Sequence, residues 1–203
     1  MPVHVEGISV VILAKHSSAA KSRLGLPPDA ARRTALLLAA TTIRTALAAD
    51  SVGAVMVVTS DQTIAADAIE SGADVVPEPR PLGMIRAAAL GRQPALDARP
   101  HAPVAILVAD LPCLRPQDLD VAVEEFQENG VPIYVADHHG CGTTLLIHGP
   151  DQMLGIGFGH QSASMHSHLG YREARRPGRG LRTDLDTPED LARLARQPVR
   201  VEW

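Results

Sequence analysis

The stretch that most constrains this chain is Ala105 to Leu114, A-I-L-V-A-D-L-P-C-L. Five apolar residues run into Asp110, and Leu111-Pro112 break the run. A short apolar run closed by a breaker predicts a buried central strand. A carboxylate at the carboxyl end of such a strand sits at the mouth of an open α/β sheet, where ligands bind. There it needs a partner, and a divalent metal beside phosphates is a suitable one. The structural alternative, a helix cap, is better served by Pro116 to Asp118.

The chain around this strand alternates. Ile8 to Ala14 predicts a first buried strand, and Pro27-Pro28-Asp29 starts an alanine- and leucine-rich helix to about Ala49. Val52 to Thr59 is the second strand, and Gln62 to Ser71 a helix capped by Ser60 or Asp61 and closed by Gly72. Asp74 to Val76 is the third strand. A proline-rich loop follows, then a helix to about Leu90 and a polar turn from Ala95 to Pro103. After the Ala105 strand, a helix runs from Pro116 or Asp118 to about Asn129, closed by Gly130. Val131 to Ala136, expected as an edge strand because of Pro132, and Thr143 to Ile147 form a hairpin. The fold class is therefore α/β, a Rossmann-like, mostly parallel central sheet with helices on both faces and an added β-hairpin. The length of 203 residues and the 45% apolar content suit a single domain over residues 1–203.

Composition excludes several function classes. The net charge of −4 and the five aromatics argue against a nucleic-acid binder. Cys113 and Cys141 alone make neither a disulfide framework nor a zinc site. No early segment has the pattern of a signal peptide, and Ile8 to Ala14 is too short to span a bilayer, so no membrane is expected and a cytoplasmic location is. A homodimer is compatible with the sequence, which is silent about its interface; the tail to Trp203 would pack on the body or on a partner.

The chemistry-bearing residues cluster at strand ends. Lys15, Lys21 and Arg23 follow the first strand in a loop rich in small residues, which suits phosphate but is neither a Walker A loop nor a dinucleotide fingerprint. Arg80 and Arg86 follow the third strand and are available to a base, ribose or phosphate. Ser162, Ser164 and Ser167 crowd a predicted helix N-terminus or nest. His160, His166 and His168 lack zinc-ligand spacing. Five arginines from Arg172 to Arg182 lie in an expected loop, a basic stretch able to flank a polyphosphate. Asp184 and Asp186 share one face of an extended segment, about 6–7 Å apart at Cα, and repel unless a cation lies between them. Thr187-Pro188-Glu189-Asp190 opens the last helix, expected to end near Arg196. Three acids, a basic loop and no oriented nucleophile fit metal-assisted phosphoryl or nucleotidyl transfer.

At these residues the chain resembles the 2-phospho-L-lactate or phosphoenolpyruvate guanylyltransferases of coenzyme F420 biosynthesis, within the nucleotide-diphospho-sugar transferase-like superfamily. The matching pieces are A-K-x-x-x-x-A-K-S-R-L at Ala14 to Leu24, D-L-P at Asp110, G-x-G-T at Gly140, F-G-x-x-S at Phe158 and D-x-D-T-P-E-D-L at Asp184. They span about residues 8–195. The resemblance implies GTP as substrate, Mg²⁺ as cofactor, and transfer of GMP to a phosphorylated three-carbon acid with release of pyrophosphate. It implies that Asp110, Asp184 and Asp186 hold the metal and, with Lys21 and Arg23, carry catalysis. It places Ala14, Lys15, Lys21 and Arg23 at the nucleotide, and Thr143, Gly159 and Ser162 at the acid's carboxylate and phosphate. Two segments depart from the family. Its L-N-x-A is L-G-M-I-R-A from Leu82, where Gly83 leaves space and Arg86 is expected to compensate. Its P-D-S-x-x-R-H is H-Q-S-A-S-M-H from His160. The alternatives are a diverged paralog with another nucleotide or acceptor (3-phosphoglycerate, cytidylyl or molybdopterin-type transfer) and a non-catalytic nucleotide-binding protein.

Overall fold

The computed structural model describes residues 7–18, 21–152 and 154–196. Its first half is a run of crossovers: β1 (Ile8–Ala14), α1 (Pro28–Leu47), β2 (Val52–Thr59), α2 (Gln62–Ser71), β3 (Asp74–Pro77), α3 (Met84–Ala98) and β4 (Val104–Val108). The second half is α4 (Pro116–Asn129), β5 (Ile133–Ala136), β6 (Thr143–His148), α5 (Ser162–His168), β7 (Arg172–Glu173), α6 (Arg179–Arg182) and α7 (Pro188–Ala195). The sheet order is β3-β2-β1-β4-β6-β5-β7. β1 pairs in parallel with β2 and β4, and β6 pairs antiparallel with both β4 and β5. The expected mostly parallel sheet with an added hairpin is what forms.

Alternation of side chains along the strands builds a core on each face. Val10, Ile12, Ala105 and Leu107 pack under α1, α2 and α4, with Ile43, Ile64 and Leu119. Val11, Leu13 and Ile106 pack on the other face with Ala87, Ala88 and Ala95 of α3. Both faces of β1 and β4 are buried, which is why they read as continuous apolar runs. Because β2 lies on one side of β1 and β4 on the other, the strand order reverses between β1 and β4. The crevice at that reversal opens beside Ala14 and Asp110, the position that binds ligands in open α/β sheets.

The boundaries differ from expectation in three places. α3 runs through Pro94 to Ala98, where the sequence predicts a stop near Leu90 and a turn from Ala95. Its buried face, Ala87, Ala88, Gly91 and Ala95, continues past the proline, so packing on the sheet overrides local propensity. β5 is not an edge, because β7 pairs with its outer side at Ile133 and Tyr134. Arg179 to Arg182 is a helical turn rather than a loop; Gly180 fits there because Asp118 and the Cys113 carbonyl crowd the space its Cβ would take. The last helix ends at Ala195, and the tail beyond residue 196 lies outside the described residues. Among the described residues no helix is long and apolar enough to cross a membrane.

Gly91 brings α3 onto the sheet, since a Cβ there would collide with the Val11 and Val58 side chains. Gly91→Ala is expected to destabilise the fold by about 1–3 kcal/mol through overpacking, read as a lower urea midpoint at unchanged slope.

Candidate active site

A cavity of about 530 Å³ opens at the β1/β4 crevice. Ala14, Lys15, Lys21, Arg23 and Asp110 line one side of it, Thr143, Phe158, Gly159 and Ser162 another, and Asp184 and Asp186 close it. Of the expected site residues, Arg86 stands apart. It is exposed on the first turn of α3 and does not line the cavity. The helix turns Ala87 and Ala88 toward the sheet, which directs position 86 outward, and Met84 reaches the wall instead. The expectation that Arg86 compensates at the nucleotide is corrected accordingly.

The basic loop is held by a residue read from the sequence only as a cap. Asp61 accepts from Thr63 and Ile64 amides through Oδ1, capping α2. Its Oδ2 accepts from the Ser17 amide at 2.9 Å and the Ser17 hydroxyl at 2.5 Å. Burial alone would raise the Asp61 carboxyl, but the Ser17 bonds and the cap amides outweigh it and hold it below its usual value. Asp61 thus fastens the loop carrying Lys15 and Lys21 to the end of β2. The signal that could reveal this is the one used for Asp110, a carboxylate just past a buried strand.

Lys21 has left-handed backbone, φ 63°, and its side chain is 4% exposed. Its Nζ donates to Asp110 Oδ2 at 2.6 Å and to Asp186 Oδ1 at 3.2 Å. Burial works against its charge, yet Asp110 and Asp186 together raise its pKa above the usual value. Arg23, largely exposed, donates to Asp186 Oδ2 at 2.9 Å. The three acids converge for a plain reason. Leu185 is buried beside Leu24 and Leu38, and its amide bonds the Asp110 carbonyl at 3.2 Å. With Leu185 turned inward, its neighbours Asp184 and Asp186 turn toward the cavity.

Asp184 has the site's most perturbed charge. Burial first, then Asp110, Asp137 and Asp186, push it up to about 7. Its neighbour His138, with Nδ1 at 3.3 Å, is itself held low by burial, Arg193 and His139. Asp184 therefore has no lysine or arginine ion pair among the described residues. The carboxylates are hard oxygen donors of the kind Mg²⁺ takes, and Asp184 is the one lacking a cation, so the residues fit such a metal. Their oxygens are not drawn together as a cage. Among the described residues, the trio whose ligand atoms all lie within 4.8 Å of one another is His138, His139 and Asp190. That trio is committed elsewhere: Arg193 donates to Asp190 Oδ1 at 2.8 Å, and Oδ2 takes the amides of Asp186 and Thr187.

The arginine-rich segment does not enter the cavity. Glu125, buried in α4, accepts the amides of Arg175 and Arg176, and Arg176 pairs with Glu128. Arg179 and Arg182 line a separate basic hollow with His138, Thr183 and Arg193. The three histidines are likewise dispersed, with His160 on the cavity wall, His166 fully buried and His168 exposed.

Residues 30–176 match the model of the MobA-like NTP transferase domain. The chain belongs to that family. It is a nucleotidyltransferase. Its curated relatives include phosphoenolpyruvate guanylyltransferases of Thermomonospora curvata, 39% identical over 90% of this chain and 81% of the relative. Another, of Geodermatophilus obscurus, is 39% identical over 93% and 88%. A structure from Desulfovibrio desulfuricans G20 assigned to the nucleotide-diphospho-sugar transferases has the same fold, with TM-score 0.71 and 15% identity over 96% of this chain and 88% of that one. A nucleotidyl transferase from Methanothermobacter gives TM-score 0.57 and 17% identity over 93% and 95%.

Asp184 also sets a pH dependence. Its folded value lies above the ordinary 3.8, so its contribution to stability is fully present below that value and is lost as pH rises through about 7. In chelator, Asp184→Asn is expected to lift the melting temperature at pH 8 and leave it nearly unchanged at pH 4, as measured by thermal melts across that range.

Proposed function

We propose that this nucleotidyltransferase transfers GMP from GTP to a phosphorylated three-carbon acid, phosphoenolpyruvate or 2-phospho-L-lactate, and releases pyrophosphate. It would do so as a single cytoplasmic domain over residues 1–203, in coenzyme F420 biosynthesis. The observation that carries this reading is the buried Lys21 ammonium between Asp110 and Asp186, at the mouth of a cavity whose far wall holds Thr143, Gly159 and Ser162. Relatives named phosphoenolpyruvate guanylyltransferase, matched over nine-tenths of the chain, support the donor and the acceptor.

The acceptor's phosphate oxygen attacks the α-phosphorus of GTP in line. A new P–O bond forms there as the bond to the pyrophosphate oxygen breaks, and the electron pair leaves with pyrophosphate. No protein nucleophile takes part, so the work of the chain is positioning and charge neutralisation. Ala14 and Lys15 place the nucleotide at the end of β1. Lys21 and Arg23 offer cations to its phosphates. Thr143, Gly159 and Ser162 cradle the acid on the opposite wall; the Ser162 hydroxyl is buried there without a hydrogen-bond partner among the described residues. Asp110, Asp184 and Asp186 would hold Mg²⁺, which when bound neutralises charge on the phosphate oxygens.

A matrix of the four NTPs against phosphoenolpyruvate, 2-phospho-L-lactate and 3-phosphoglycerate, read by released pyrophosphate, tests this. GTP with one of the first two acids is expected to lead; release with no pair, or with CTP alone, would overturn the reading. Asp110→Asn is expected to lower kcat by about 100-fold or more, because it removes one charge from the reacting centre and loosens Lys21.

A further inference from the structure

His166 is a buried polar side chain enclosed by aromatic rings. It is fully buried, and three of the chain's five aromatics surround its ring: Phe158 at 5.9 Å, Tyr171 at 5.4 Å and Tyr134 at 6.1 Å between centroids. Both ring nitrogens are used. The Gly157 amide donates to Nε2 at 3.0 Å, and Nδ1 lies 2.8 Å from the Thr143 hydroxyl oxygen.

This pattern determines where the protons are. A backbone amide can only donate, so Nε2 must be the bare nitrogen. A neutral imidazole with bare Nε2 carries its proton on Nδ1, and that proton faces Thr143 Oγ1, with the Ser162 carbonyl as a second acceptor. Protonation of both nitrogens would set two donors against each other at Gly157. Burial also disfavours the cation, moving the ring's pKa down to about 4 against the opposing pull of the Ser162 carbonyl. Thr143 Oγ1 is thereby an acceptor toward the protein. Its own proton has no partner among the described residues, and Thr143 lines the cavity. As a β-branched residue at the start of β6, it has little rotamer freedom with which to turn away.

We propose that His166 is a positioning residue for the acceptor: by donating from Nδ1 to Thr143 Oγ1, it commits the Thr143 hydroxyl to donate into the cavity, to an anionic oxygen of the phosphorylated acid. This rests on the functional reading above, which puts the acid at Thr143. A hydroxyl free to rotate can accept or donate; one whose lone pair is already engaged is biased toward anions. The aromatic enclosure keeps the ring neutral and in one orientation, so the bias holds across the neutral pH range.

Two substitutions separate the two ring bonds. His166→Asn keeps an amide donor near the Nδ1 position and gives up the Gly157 bond. His166→Gln offers an acceptor near the Nε2 position and gives up the bond to Thr143. His166→Gln and Thr143→Val are each expected to raise KM for phosphoenolpyruvate about 10- to 100-fold, as for loss of a hydrogen bond to a charged group, with KM for GTP unchanged. His166→Asn, the conservative variant that keeps the donor at Nδ1, is expected to restore most of the acceptor KM lost in His166→Gln. The double change of His166→Gln with Thr143→Val is expected to cost no more than Thr143→Val alone, since both act through one hydroxyl. Histidine ¹⁵N NMR of the parent, independent of turnover, is expected to show an Nδ1-protonated neutral ring at pH 7. An Nε2-protonated ring overturns the inference. So does a turning-over parent in which His166→Gln leaves the acceptor KM in place, or raises the KM values for acid and GTP alike. A parent that releases pyrophosphate with no acceptor overturns the functional reading, and this inference falls with it.

Discussion

A buried ammonium between two carboxylates makes the rest of the site tenable. Lys21 sits at 2.6 Å from Asp110 and 3.2 Å from Asp186, at the end of a sheet whose central strands are buried along their whole length. Exposed pairs such as Arg44 with Asp67 contribute little, because water screens them. The Lys21 pairs differ in that the lysine is nearly sealed from solvent, so removing it would leave Asp110 unpaired and Asp186 with only the exposed Arg23, beside a third acid. The loop that delivers it is fixed at its other end by Asp61. Two strand-end aspartates thus divide the labour, one holding the loop and one receiving its lysine.

The cavity has two walls of different character. The wall from β1 and β4 carries the full charges. The wall from β6 and the segment before α5 carries neutral donors: the Thr143 and Ser162 hydroxyls, with His166 behind Thr143. Under the proposed function, the charged wall would take the nucleotide's phosphates and the neutral donors the small acid. Asp184 stands between, with a carboxyl at about 7 that neither wall neutralises.

Much of this was legible in the sequence because it follows from period and punctuation. β1 and β2 read as apolar runs with their observed bounds, and Gly72 and Gly130 marked helix ends that the structure closes in the left-handed conformation. Asp110, Asp184 and Asp186 were legible as a group because a strand end and an extended D-x-D are local patterns. What was hidden depends on contacts between distant segments. Pro94 signalled a break, and only the packing of Gly91 and Ala95 on the sheet explains why α3 continues. Pro132 suggested an edge, and β7, two residues long, is too short to be seen as the strand that covers it. Arg86 looked available until the helical phase of α3 turned it outward. The arginines after Tyr171 looked like a phosphate patch, but Glu125 takes two of their amides for structure. His166 stands in the sequence as one of three histidines and as the last residue of the H-Q-S-A-S-M-H segment; its partners, Gly157 and Thr143, are set by the fold.

We propose that Asp110 at the end of β4 and Asp184 and Asp186 in the segment before α7, two of them paired with Lys21, form the metal and nucleotide centre. The most direct measurement is anomalous diffraction from crystals grown with Mn²⁺ and GTP. A manganese peak among Asp110, Asp184 and Asp186, next to the nucleotide phosphates, is expected. A peak at His138, His139 and Asp190 instead, with Lys21 still between Asp110 and Asp186, would contradict it.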